Sequence, residues 1–122
     1  MQDIYQEFII QLYKNPKNHG SMENPDYKSH ICNKTCGDCI DLFLKVENGI
    51  IIDAKFIGQG CAISQASTSL VTEYLKDRKL EDVRKITSDD ILSLIRIDLS
   101  KNPSRMKCAL LPLDALRKAL KE

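Results

Sequence analysis

Five cysteines are the residues of this chain whose type and spacing best suit metal or sulfur chemistry. They are Cys32, Cys36, Cys39, Cys61 and Cys108. An odd number of cysteines, in a chain whose start lacks a signal-peptide pattern, favours metal ligands or reactive thiols over disulfides. Thiolates select zinc, copper(I) or iron–sulfur clusters. The alternative is that several of these cysteines are small buried hydrophobic residues.

Three of the cysteines are expected at the ends of structural elements. Cys36 lies in a turn before a predicted hairpin, Cys61 follows a Gly-x-Gly turn directly before a helix, and Cys108 is expected just ahead of the last helix. The partial positive charge at a helix N-terminus favours the thiolate, which binds metal and attacks sulfur. Together with Asp38, three sulfurs can complete a tetrahedral ion or cap a two-iron cluster. From spacing alone, Asp38 is better explained as a turn residue than as a ligand.

Other groupings of these side chains are weaker. Cys36 and Cys39 form a CxxC, but a redox pair requires a following helix and this pair leads into a strand. Cys32, Cys36 and Cys39 match a compact zinc knot that no second CxxC or paired His completes. His19 and His30 lie in a polar segment and are expected to be solvated.

Hydrophobic spacing predicts a β-hairpin after a first helix. Apolar residues at helical spacing predict a helix over 2–13, and the polar segment 15–35 is expected to be a loop. Alternation over 40–47, the turn pair Asn48-Gly49 and a return over 50–57 predict the hairpin. In the second strand, the side chains of Ile52, Ala54 and Phe56 are predicted to face inward.

The second half of the chain is predicted to be helical. We expect a helix over 63–76 with its Ser and Thr residues on the polar face, a short helix over 80–86, and another beginning near Thr87. A loop over 101–105 would precede a last helix over 112–120.

Strands early and helices late predict an α+β fold class. We expect a small antiparallel sheet of about three strands, with helices packed on one face, in a single domain covering 1–122. Pro112 is expected in the first turn of the last helix, where proline is tolerated.

Composition excludes several classes of function. The 122 residues carry a formal net charge of +1, which is no electrostatic footprint for nucleic acid. No apolar run approaches the roughly 20 residues that span a bilayer. A cytoplasmic protein that binds neither nucleic acid nor membrane is the expectation.

Four segments, in order along nearly the whole chain, resemble one known family. They are the opening helix with Asn15-Pro16-Lys17-Asn18-His19-Gly20, then Cys36-Gly37-Asp38, Gly58-Gln59-Gly60-Cys61-Ala62-Ile63-Ser64-Gln65-Ala66-Ser67, and Arg105-Met106-Lys107-Cys108-Ala109. The sequence resembles the U-type iron–sulfur scaffold group, which comprises IscU, SufU and the N-terminal domain of NifU.

The resemblance implies a ligand set and a function. Cys36, Asp38, Cys61 and Cys108 would hold a [2Fe–2S] cluster, iron or zinc at one end of the domain. A cysteine desulfurase would deliver persulfide sulfur, with Cys108 as first acceptor and Lys107 alongside it. Iron and electron donors would complete the cluster, which would pass to apo acceptor proteins. This is mainly a scaffold or carrier activity.

Departures from the family pattern favour a second interpretation. Lys107 stands where IscU types have His, as in SufU types, and without its family context it would be an ordinary surface lysine. A zinc-dependent sulfurtransferase of SufU type is therefore the alternative. Residues 102–106 stand where IscU types have the motif that they present to a dedicated Hsp70 chaperone. The absence of that motif argues against such a chaperone as a partner. A zinc-stabilised interaction module without transfer chemistry is a third class.

Overall fold

The structure, a computed structural model, describes residues 2–34, 37–96 and 98–121, with the backbone alone for 2–6. Its elements are α1 (Gln2–Lys14), β1 (Tyr27–Asn33), β2 (Asp38–Glu47), β3 (Ile50–Gln59), α2 (Ala62–Leu75), α3 (Leu80–Val83), α4 (Ser88–Ile95) and α5 (Pro103–Leu120). The three strands form one antiparallel sheet in the order β1-β2-β3. The predicted α+β class and three-stranded sheet are confirmed.

The hairpin of β2 and β3 forms as the sequence predicts, with one shift. Asn48 and Gly49 both adopt positive φ, at 53° and 77°, which suits a two-residue turn matched to the strand twist. A register shift between Lys45 and Val46 inserts a bulge. As a result Ile51 is fully buried and Ile52 is exposed, so the predicted inward direction of Ile52 is wrong.

The polar segment before the hairpin contains a strand, so the expectation of a loop over 15–35 is wrong for its second part. Tyr27–Asn33 pairs with β2 along its whole length, from Tyr27 opposite Leu44 to Asn33 opposite Asp38. The strand alternates between half-buried and exposed side chains, as an edge strand with one covered face does. Its polar composition hid this alternation.

The helices cover one face of the sheet and leave the other face to solvent. Ile40, Leu42 and Leu44 of β2 point into the core and are at most 1% exposed. The core joins them to side chains of β3, α2 and α5. We call the covered side the helix face and the other side the open face.

Helix α2 is the central helix of this layer, and its hydroxyl side chains are not on a polar face as predicted. Ser64, Ser67, Thr68, Ser69 and Thr72 are all buried. The hydroxyls of Thr68 and Thr72 donate to backbone carbonyls one turn earlier, at 2.7 and 2.9 Å. Such bonds satisfy a small polar side chain inside a core, which is how a polar-looking helix becomes buried.

Helix α5 begins earlier than the sequence predicts. Asn102 caps it by accepting a hydrogen bond from the backbone N–H of Arg105 at 3.2 Å, and Pro103 occupies the first turn. The predicted loop is therefore wrong for 103–105, although 101–102 do precede the helix, and the predicted helix start at Pro112 is wrong. Pro112 lies inside the helix instead, where it cannot donate the bond that the carbonyl of Cys108 would otherwise accept.

The two short helices between α2 and α5 follow the prediction closely. Thr87 caps α4 in a reciprocal capping box with Asp90. Helix α3 is shorter than predicted and ends at Val83. Among the described residues, no helix is both long and apolar enough to cross a membrane.

Candidate metal and sulfur site

Asp38 is the first residue of β2, and its carboxylate points to the helix face. Only 1% of the residue is exposed. Oδ1 accepts a hydrogen bond from the backbone N–H of Cys61 at 2.8 Å, and the thiol of Cys61 donates to Oδ2 at 3.5 Å. These two contacts satisfy both oxygens of the buried carboxylate.

The turn before Cys61 is shaped around this carboxylate. Gly60 adopts a φ of +134°, a conformation that side-chain-bearing residues rarely adopt. A Cβ at Gly60 would lie 2.0 Å from Oδ1 of Asp38, so only glycine fits. Gly58 is also tight, with a Cβ there only 2.8 Å from the Gln65 side chain. The sequence places this Gly-x-Gly turn before Cys61 and within a segment that resembles the family, but it did not predict the close approach of Gly60 to Asp38.

Cys61 is the N-cap residue of α2, which confirms its predicted place directly before a helix. Its Sγ accepts from the backbone N–H of Ser64 at 3.4 Å, and Ser64 Oγ donates to the Cys61 carbonyl at 3.1 Å. The side chain is partly exposed. The sulfur of Cys61 therefore lies between the first turn of α2 and the Asp38 carboxylate.

Cys108 lies within α5 rather than ahead of it, so its predicted position at a helix start is wrong. The residue is 3% exposed and belongs to a buried apolar cluster with side chains of α1, α2 and α4. The hydroxyl of Ser67 donates to the carbonyl of Ala109 at 2.6 Å, which joins α2 to α5 beside this cysteine. Helix packing therefore brings Cys108 to the site.

The three side chains converge. One ligand atom from each of Asp38, Cys61 and Cys108 lies within 4.8 Å of the others. We call these residues the helix-face cluster. The fourth predicted ligand, Cys36, lies outside the described residues. It precedes Gly37, whose φ of +75° and N–H bond to the Asn33 carbonyl make the turn into β2.

Lys107 is an exposed residue of α5, on the side that faces β1. It lines a surface cleft together with Asn33 and Asp114. Partial burial raises the pKa of the Asp114 carboxyl above its usual value, although the nearby Arg117 opposes this. The contribution of Lys107 to the chemistry of Cys108 stays a prediction.

Two further cysteines form a disulfide, which contradicts the expectation that thiols would prevail over disulfides in this chain. Cys32 and Cys39 are opposite each other in the pairing of β1 with β2 and are covalently joined. The loop expectation for 15–35 hid this pairing, because it left Cys32 without a strand partner. His30 is exposed as expected, and it contacts Cys32 and Asp41. His19 is also exposed, with its ring edge against Phe56.

Known proteins match this chain along nearly its whole length. The family model described as the NifU-like N-terminal domain matches residues 4–122. The zinc-dependent sulfurtransferase SufU of Bacillus subtilis is 39% identical over 96% of this chain and 89% of its own length. The iron–sulfur cluster assembly scaffold protein IscU of Escherichia coli K12 is 37% identical over 95% of this chain and 91% of its own.

Solved structures share the fold. A crystal structure of a candidate scaffold protein for iron–sulfur cluster assembly in the SUF system of Fervidobacterium islandicum superposes with a TM-score of 0.80 at 33% identity, over 97% of both chains. An N-terminal NifU-like protein from Brucella abortus superposes with a TM-score of 0.82 at 20% identity, over 98% of this chain and 93% of that one, and supports the fold alone.

Proposed function

Since this chain belongs to the NifU-like N-terminal domain family, we propose that it is a scaffold on which a [2Fe–2S] cluster is assembled and from which it is transferred. The cluster is cargo, built from iron and persulfide-derived sulfur and passed to apo acceptor proteins. A cysteine desulfurase, an iron source and an electron donor are the partners this requires. The proposal includes a cytoplasmic location and one functional domain over residues 1–122.

The convergence of the helix-face cluster is the observation that carries the proposal. Asp38, Cys61 and Cys108 present one oxygen and two sulfurs within 4.8 Å of one another. With Cys36 as a fourth ligand, the set contains three soft donors and one hard donor, which suits iron–sulfur clusters and zinc. A carboxylate among thiolates binds a soft cargo less firmly than a fourth thiolate would, as a transferring scaffold requires.

We assign the first persulfide to Cys108. Its thiolate attacks the outer sulfur of the desulfurase persulfide, so a new Cys108 S–S bond forms and the desulfurase cysteine leaves as a thiolate. Because Cys108 is 3% exposed, α5 has to shift when the desulfurase docks. We expect mass spectrometry to find the added sulfur on Cys108 after incubation with desulfurase and cysteine. Sulfur found on Cys61 alone would reject this assignment.

A zinc-dependent sulfurtransferase is the second candidate function. The 39% identity to the Bacillus subtilis sulfurtransferase favours it, and so does the cation at Lys107. In this alternative Zn²⁺ occupies the helix-face cluster with Cys36, and one cysteine leaves the metal to accept sulfur. The same four residues would serve both functions. The two functions therefore differ in what the site binds, which is an iron–sulfur cluster in one and Zn²⁺ in the other.

Anaerobic reconstitution tests the choice between the two functions. The protein is incubated with ferrous iron, cysteine and a cysteine desulfurase, and iron, sulfide and the visible spectrum are measured. Equal amounts of iron and sulfide with a cluster spectrum are expected. Retained zinc, no cluster and a faster desulfurase would reject the scaffold and favour the sulfurtransferase.

A further inference from the structure

A second group of metal-ligating side chains lies on the open face of the sheet. His30 and Cys32 belong to β1, Cys39 belongs to β2, and their ligand atoms all lie within 4.8 Å of one another. His30 and Cys32 are exposed, and Cys39 is half-buried. We call these three residues the open-face cluster. None of them takes part in the proposed scaffold site.

The imidazole of His30 is oriented as a metal-binding histidine is. Its Nδ1 contacts the carboxylate of Asp41, which is opposite His30 in the strand pairing. Its Nε2 points to Sγ of Cys32 at 3.4 Å. A carboxylate that accepts from one ring nitrogen fixes the tautomer and leaves the other nitrogen as a ligand, which is the usual arrangement behind zinc-bound histidines.

The strand register keeps the sulfurs beside this nitrogen. Cys32 is directly opposite Cys39, and His30 precedes Cys32 by two residues, so all three side chains project from the same face. The pairing of β1 with β2 extends from Tyr27 to Asn33, so six further residue pairs hold the two strands together beside the Cys32–Cys39 pair. Two thiolates and one imidazole make a soft donor set that suits Zn²⁺, with a fourth tetrahedral position left for water.

We infer that the open-face cluster is a redox-gated site for a soft divalent cation of the Zn²⁺ class. As a disulfide, Cys32 and Cys39 offer no thiolate, and the site does not bind metal. A dithiol reductant breaks the S–S bond with two electrons and two protons, giving two thiols while the reductant becomes a disulfide. Metal binding then displaces the two thiol protons, and His30 Nε2 supplies the third ligand.

Cobalt binding to a variant without the scaffold cysteines tests this site. Cys36→Ala/Cys61→Ala/Cys108→Ala is reduced with dithiothreitol, freed of reductant by anaerobic gel filtration, and titrated with Co²⁺. About one Co²⁺ per chain is expected, with sulfur-to-cobalt charge-transfer absorption and tetrahedral ligand-field bands. The same variant left oxidised should show neither. Equal spectra before and after reduction, or no charge-transfer band in the folded, reduced variant, would overturn the inference.

Substitution of Asp41 tests the carboxylate–histidine arrangement. Asp41→Asn in the same background should weaken Co²⁺ binding by about tenfold, because the amide no longer fixes the imidazole as a carboxylate does. His30→Ala should weaken it further and shift the ligand-field bands. Unchanged affinity in both variants would show that His30 is no ligand and would reject the site as described.

A second comparison applies if the triple variant does not fold. Reduced wild-type protein and reduced Cys32→Ser/Cys39→Ser are titrated with Co²⁺ in parallel. The wild type should bind about one Co²⁺ more per chain. Equal stoichiometry would overturn the inference without affecting the scaffold proposal, because the double variant retains Cys36 and the helix-face cluster.

Discussion

The two cysteine-containing clusters lie on opposite faces of β2, and they are built in opposite ways. Asp38 and Cys39 are consecutive residues, so their side chains point to opposite faces of the sheet. The helix-face cluster is largely buried, with only Cys61 partly exposed, and joins β2 to α2 and α5. The open-face cluster is largely exposed and needs only β1 and β2. Strand β2 therefore contributes to two clusters. The helix-face cluster depends on packing between the sheet and the helices, and the open-face cluster depends only on the pairing of β1 with β2.

The difference indicates which cluster suits which chemistry. Asp38 and Cys61 are 23 residues apart and meet because Cys39 of β2 is opposite Gln59 at the end of β3. Cys108 belongs to α5 and joins them only when that helix packs on the sheet. Cys32 and Cys39 are 7 residues apart and are brought together by local strand pairing. A labile cargo requires shielding from water, which the helix face provides. A redox-sensitive pair requires access, which the open face provides.

The substitution with the largest expected effect on the helix-face cluster is Gly60→Ala. The new Cβ would lie 2.0 Å from the Asp38 carboxylate, in a backbone conformation that alanine disfavours. We expect a loss of about 3 kcal/mol or more in the free energy of unfolding, together with loss of iron or zinc binding. Denaturant unfolding and metal analysis measure the two effects.

Gly20→Ala is the matched control for this substitution. Gly20 has a similar φ of +145°, but nothing lies within 4 Å of its added Cβ. It should lose only the conformational cost, about 1–3 kcal/mol, and keep its metal. Equal losses in both variants would mean that the contact with Asp38 contributes nothing.

Asp38→Ala should have the next largest effect. It removes a proposed ligand and leaves the part-buried N–H of Cys61 without its carboxylate acceptor, at a cost of about 1 kcal/mol. Asp41→Ala removes a carboxylate of the same strand on the open face and is the control. Isothermal titration with Zn²⁺ is done with the Cys32–Cys39 disulfide intact, so that the open-face cluster binds no metal. It should show weaker binding at the helix-face cluster for Asp38→Ala alone. Equal weakening by both variants would break the distinction between the two faces.

Ser67→Ala tests whether the contact between α2 and α5 positions Cys108. Loss of the 2.6 Å hydrogen bond to the Ala109 carbonyl should cost about 1 kcal/mol of stability and weaken metal binding as well. Ser29→Ala removes a similar 2.7 Å bond from β1 to the Ala115 carbonyl of the same helix. It should cost similar stability without weakening metal binding, and weakening in both would point to a general effect of α5.

The smallest expected effect concerns Glu73, on the exposed side of α2. The hydrogen bond from Asn18 holds the pKa of its carboxyl below the ordinary value, with a further contribution from Lys76. A lowered folded pKa stabilises the protein above the ordinary pKa and loses that stabilisation as the pH falls through the folded value. Glu73→Gln should therefore cost about 0.5 kcal/mol at neutral pH and nothing in strong acid. Urea unfolding at both pH values measures this, and a pH-independent difference would contradict it.

The hairpin and the start of α2 could be predicted from sequence, because their signals are local. Asn48-Gly49 specifies its turn, and the alternation of β2 is uninterrupted. The start of α5 was missed because Pro112 suggested a helix beginning, whereas Asn102 and Pro103 already cap one. Tertiary packing tolerates a proline inside this helix, and no local pattern reveals that.

Residue types identified the candidate cysteines, and only the family resemblance added Asp38 to them, whereas neither described the surroundings of the site. Asp38, Cys61 and Cys108 do come together, although one of them lies within a helix rather than before it. The carboxylate cradle at Gly60 and the pairing of Cys32 with Cys39 depend on contacts between strands, turns and helices. Periodicity within one segment contains no information about such contacts.

The most direct test of the account compares iron and sulfide in two variants after anaerobic reconstitution with a cysteine desulfurase. Cys61→Ala removes a helix-face ligand, and Cys32→Ser/Cys39→Ser removes both open-face sulfurs. The account predicts that Cys61→Ala loses the cluster, while the double variant holds equal iron and sulfide at the wild-type level. A normal cluster in Cys61→Ala, or its loss in a folded Cys32→Ser/Cys39→Ser, would contradict the assignment of the cargo to the helix face.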